Sequence, residues 1–126
     1  MVTTDVAQLS QECGAWIASL RSRRDEFTLL KKQLQDILSH PVSKENLPDV
    51  EHYDNQFEIQ LTNINHLKHS IKEHDRIASW EQSTRDGNVT DATWAAHEDL
   101  YDRVQHMEHT MDELKDEFSK FLEKMS

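Results

Sequence analysis

Three stretches of the chain place an apolar residue at alternating steps of three and four, the spacing that keeps one stripe of a helix turned toward a core. The first runs through Val6, Leu9, Cys13, Trp16, Leu20, Phe27, Leu30, Leu34 and Ile37, with one polar interruption at Arg23. The second runs through Val50, Tyr53, Phe57, Gln60, Ile64, Leu67, Ile71, His74 and Ala78, with Leu61 beside Gln60. The third runs through His97, Leu100, Val104, Met107, Met111, Leu114, Phe118, Phe121 and Met125. The pattern predicts helices over about residues 4–39, 46–85 and 90–125, each roughly 50 Å long.

Local signals agree with these limits. Thr4 and Asp5 suit a first N-cap, and Ser39-His40-Pro41 ends that helix because the residue before a proline is pushed out of the helical region. Asn46-Leu47-Pro48 reads as a new start, since proline fits a first turn whose amide is unpaired anyway. Gly87 suits the left-handed residue that closes the second helix, and Asn88 keeps the connection tight. Thr90 has the position of a third cap, with Val89 and Trp94 spaced as a hydrophobic staple and Asp91 in the field of the helix N-terminus. Short connections force antiparallel neighbours, so the expected fold is all-α: one antiparallel three-helix bundle domain over residues 1–126 with long coiled-coil-like helices.

Folding the helices back on one another turns the stripes into layers. Ile37 falls level with Val50 and Met125, Leu30 with Phe57 and Phe118, Leu20 with Leu67 and Met107, and Trp16 with Ile71 and Val104. Arg23 falls beside Ile64 and Met111, where its stem can pack while the guanidinium reaches an acid such as Glu108. The same counting brings Cys13 level with His74, with His97 and Tyr101 within about a turn.

Composition narrows the function classes. Only two glycines and two prolines among 126 residues leave little chain for strands or long loops. No apolar run reaches the ~20 residues of a membrane span, and no basic-then-apolar leader opens the sequence. The single Cys13 has no intrachain disulfide partner, so a reducing cytoplasm is expected, and the acceptor pattern Asn88-Val89-Thr90 is not expected to be glycosylated. Acids and bases balance at five each through residue 39, then stand at nine to five over 40–89 and ten to four over 90–126, for the net charge of −10. That excess argues against nucleic acid and anionic membranes as partners. Arg21, Arg23, Arg24, Lys31 and Lys32 form the one basic stripe, expected to face the acidic third helix.

Eight histidines invite a test for metal chemistry. No glutamate is followed by histidine at the Glu-x-x-His spacing of ferritin-like di-iron sites, and His97-Glu98-Asp99-Leu100-Tyr101 breaks the zinc-protease pattern at its last position. Neither a Ser/His/Asp set, a glycine-rich phosphate loop nor a CxxC is present, so no catalysis is expected. One layer does combine the ligands zinc prefers: Cys13, His74 and His97, to be completed by Glu12 or water. The competing reading is that the cysteine is simply buried and the histidines are satisfied by a carbonyl or a nearby acid.

The second helix carries a further stripe away from its core: His52, Ile59, His66, Glu73 and Trp80, flanked by Gln56, Asn63, Ser70 and Ile77. Its charges lie mostly on the opposite side, at Glu51, Asp54, Glu58, Lys68, Lys72 and Asp75. Depletion of charge around apolar anchors marks a partner-facing surface, and an antiparallel pairing of second helices about a two-fold axis would cover it.

The segments Glu51-His52-Tyr53-Asp54-Asn55-Gln56-Phe57, Leu67-Lys68-His69-Ser70-Ile71-Lys72-Glu73-His74 and His97-Glu98-Asp99-Leu100-Tyr101-Asp102-Arg103-Val104 resemble small bacterial all-helical proteins that have no assigned activity. The resemblance implies a cytoplasmic bacterial bundle and supplies no catalytic residue. The expected function is therefore a non-catalytic interaction or scaffold module, homodimeric through His52, Gln56, Ile59, Asn63, His66, Ile77 and Trp80, possessing no cofactor. The alternative is a bundle that binds zinc or another transition metal, through either Cys13, His74 and His97 or the histidine stripe of the second helix across a dimer.

Overall fold

The computed structural model describes residues 6–125. They form three helices, α1 (Val6–Leu38), α2 (Leu47–Thr84) and α3 (Asp91–Met125). Thr4 and Asp5 lie outside the described residues; the other expected limits agree to within one residue. The side-chain pairings fix the directions. Phe27 of α1 meets Phe57 of α2, whereas Cys13 meets His74, so these helices are antiparallel. Tyr53 meets Phe121 and His74 meets His97, so α3 runs antiparallel to α2 and parallel to α1. The backbones of α1 and α3 each approach α2 more closely than they approach one another, and longer side chains bridge them. Among the described residues no helix is long and apolar enough to cross a membrane.

Every buried residue of α1 lies on the predicted stripe: Leu9, Cys13, Trp16, Leu20, Phe27 and Leu34. In α2 and α3 the stripes continue one step further, to Glu81 and back to Thr93. The centre of the core is aromatic, with Phe57 nearly perpendicular to Phe27 at 5.6 Å and to Phe118 at 4.9 Å between centroids. Such edge-to-face pairs add about 0.5–1.5 kcal/mol each beyond area burial. Phe27 is the fully buried α1 member here, while Leu30, counted level with Phe57, is half-buried at the rim. The first connection contains a further turn over residues 44–46.

The helix ends show the expected chemistry with two additions. Pro48 sits in the first turn of α2, and the Asn46 carbonyl accepts from the Asp49 and Val50 amides while its side chain forms no cap. After α2 the Gly87 amide donates back to the Gln82 carbonyl at 2.8 Å. Gly87 has φ +85° as expected, and Asp86 before it is also left-handed at φ +54°. Thr90 caps α3 by accepting the Thr93 amide at 3.2 Å, and Val89 and Trp94 pack on the same core. Glu81 reaches from α2 to accept the Thr90 amide at 2.9 Å, which holds its carboxyl below the usual range.

Candidate functional site

At the end of the bundle near the second connection, one residue from each helix meets in a single layer. One ligand atom each from Cys13, His74 and His97 lies within 4.8 Å of the others, and all three residues are buried. His74 Nε2 and His97 Nδ1 are 3.0 Å apart, and His97 Nε2 is 2.7 Å from Glu12 Oε1. An ionised carboxylate can only accept, so His97 donates from Nε2; a neutral His97 then accepts at Nδ1 from His74. Trp16 lies over the His97 ring at 4.7 Å and Trp94 meets it edge-on at 6.4 Å, which fixes the plane of the imidazole. The stripe arithmetic thus brings together the three residues it singled out, and Glu12 joins them through His97.

The electrostatics of this layer follow from its burial. The Cys13 thiol is pushed up to about 12, chiefly by desolvation and then by the charges of Asp75 and Glu12, so the ordinary state is a protonated thiol. His74 is lowered by burial and then by His97, against the opposing pull of Asp75 and Glu81. Among the described residues Asp75 Oδ1 is a buried side-chain oxygen with no hydrogen-bond partner. Sequence reasoning missed Asp75 because its position flanks the stripe and reads as part of a solvated charged face.

The basic stripe is divided rather than aimed at α3 as a unit. Arg23 does reach α3, donating from Nε to Glu108 Oε2 at 2.6 Å and pairing with Asp112 at 2.7 Å. Lys31 instead joins Asp54 at 2.9 Å and Glu58 at 3.2 Å, both on α2. Arg21 and Arg24 lie near Lys68, whose ammonium is lowered by burial and then by those two like charges and Lys72. The division arises because Arg23 and Lys31, eight residues apart, differ by roughly 80° around α1 and so flank different sides of its seam, one toward α3 and the other toward α2.

The outer stripe of α2 is exposed over most of its length. Trp80 is 63% exposed, Ile77 43% and Ile59 41%; His52, Asn63 and His66 are also exposed, and Gln56 is half-buried. Between α2 and α3 runs an open groove of about 490 Å³, in which Asn63 and His66 face Arg103, His106 and Thr110. The stripe therefore does not stand alone: its middle forms one wall of a cleft whose other wall is α3. That sharing was not visible in the sequence, because it depends on how far α3 stands from α2. No family model, curated protein or solved structure matches the chain.

Proposed function

We propose that this bundle is a non-catalytic interaction module that self-associates through the outer face of α2. The observation that carries the reading is the exposure of Trp80, Ile59 and Ile77 on a stripe otherwise made mostly of amides and imidazoles. A chain of net charge −10 repels its own copies across most of its surface, and this face is the exception. In an antiparallel pairing centred between positions 66 and 73, Ile59 packs on the partner's Trp80, and His66 lies against the partner's Glu73. Large aromatic anchors ringed by uncharged polar groups are the usual composition of such a contact. The absence of catalysis in this reading is supported by Cys13, the strongest nucleophile, being wholly buried and protonated.

The test is molecular mass in solution by sedimentation equilibrium, comparing the wild type with Trp80→Glu and Ile59→Glu. Each change is expected to weaken a dimer by about 2 kcal/mol or more per protomer, leaving a folded monomer with unaltered helical circular dichroism. A wild type that stays monomeric at high concentration, or a dimer indifferent to both changes, would falsify the reading.

A further inference from the structure

The geometry points to a zinc site inside each bundle, ligated by Cys13 Sγ, His74 Nε2 and His97 Nδ1, with Glu12 as the residue that positions His97. This goes beyond self-association, because every ligand belongs to one chain and none lies on the outer stripe of α2. Tetrahedral zinc, with bonds of about 2.0–2.1 Å to nitrogen and about 2.3 Å to sulfur, holds its ligand atoms roughly 3.4–3.6 Å apart. The three donor atoms already lie within 4.8 Å of one another. The imidazole nitrogens, 3.0 Å apart, need to open by only about 0.4 Å.

Two further features match what such a centre needs. A ligating histidine almost always donates its other ring N–H to a carboxylate, a backbone carbonyl or water, and His97 Nε2 meets Glu12 Oε1 at 2.7 Å in that way. The Trp16 ring stacked on His97 at 4.7 Å restricts rotation of the imidazole. The hydrogen-bond chain from Glu12 through His97 to His74 pairs the two imidazoles, and Cys13 Sγ of α1 completes a three-donor set at the same point. Next in sequence to His74, Asp75 Oδ1 is buried without a hydrogen-bond partner, a carboxylate oxygen whose burial a nearby cation offsets.

Binding displaces two protons from the space between the ligands. The Cys13 sulfur gives its proton to solvent and ligates as thiolate, while the His74 proton moves from Nε2 to Nδ1, so that the ring stays neutral and Nε2 is free to ligate. The three residues leave a fourth tetrahedral position for a water.

The experiment uses untagged protein stripped with chelator and titrated with cobalt(II) and then zinc(II), read by absorbance and native mass spectrometry. The expected result is one ion per chain, a sulfur-to-cobalt charge-transfer band in the near ultraviolet, the intense visible bands of a tetrahedral site, and displacement of cobalt by zinc. Cys13→Ala is expected to remove the charge-transfer band. Glu12→Gln, at the half-exposed edge of the site, is expected to weaken zinc about 10- to 100-fold while keeping the same spectrum, which distinguishes a positioning residue from a ligand. A folded wild type that takes up no stoichiometric ion, or a cobalt spectrum without the sulfur band, overturns the assignment. Both outcomes are read on the wild type and so do not depend on whether Cys13→Ala folds.

Discussion

Arg23 Nε donates to Glu108 Oε2 at 2.6 Å, joining the two helices whose backbones lie furthest apart. Both side chains are largely withdrawn from solvent, and the second arm of the guanidinium holds Asp112. A charge on the core stripe is expensive to bury alone but tolerable when hydrogen-bonded on its open side. Arg23→Ala is expected to cost about 2–3 kcal/mol in urea unfolding, through lost stem packing and a Glu108 left with only the Ser19 hydroxyl as partner. Arg23→Met combined with Glu108→Gln is expected to recover most of that loss.

Phe57 lies fully buried between Phe27 and Phe118, so its truncation leaves a cavity that rigid rings cannot collapse into. Phe57→Ala is expected to cost about 3–5 kcal/mol by denaturant titration. Leu29→Ala, at a side chain 67% exposed, is expected to stay within about 0.5 kcal/mol of the wild type.

Glu81 makes stability depend on acid. Its carboxylate accepts the Thr90 amide, so the folded protein binds that proton less readily than the unfolded chain does. The contribution is complete above the ordinary carboxylate value of about 4.3 and is lost as pH falls through the lower folded value. Thermal melts of the wild type and Glu81→Gln are expected to differ most at neutral pH and to converge below pH ~4.

Gly87 adopts φ +85°, yet a Cβ there would meet nothing within 4 Å. Gly87→Ala is therefore expected to cost about 1–2 kcal/mol from backbone conformation alone. Asp86, left-handed without being glycine, is expected to gain a few tenths of a kcal/mol on Asp86→Gly, read as a rise in melting temperature.

The structure is legible in the sequence wherever the governing physics is local or strictly periodic. Helix limits follow from proline, Gly87 and Thr90, each of which acts within a turn of itself. The heptad spacing then forces residues into layers, which is why the sequence alone sets Cys13, His74 and His97 level and matches Arg23 with Glu108. An apolar stripe has only one way to face a common core, and its period carries that information along the whole chain.

What only the tertiary structure decided lies at the flanks of those stripes. Lys31 turns to α2 rather than α3, Glu12 stands behind His97 as its hydrogen-bond partner rather than beside it as a fourth donor, Glu81 crosses to Thr90, and Asn63 and His66 become the wall of a groove shared with α3. Flanking side chains are long and their targets depend on the rotation of each helix about its axis and on the spacing between axes. Both are set by the volumes packed in the core, with the aromatic rings of Phe27, Phe57 and Phe118 foremost, and no periodicity in the sequence encodes them.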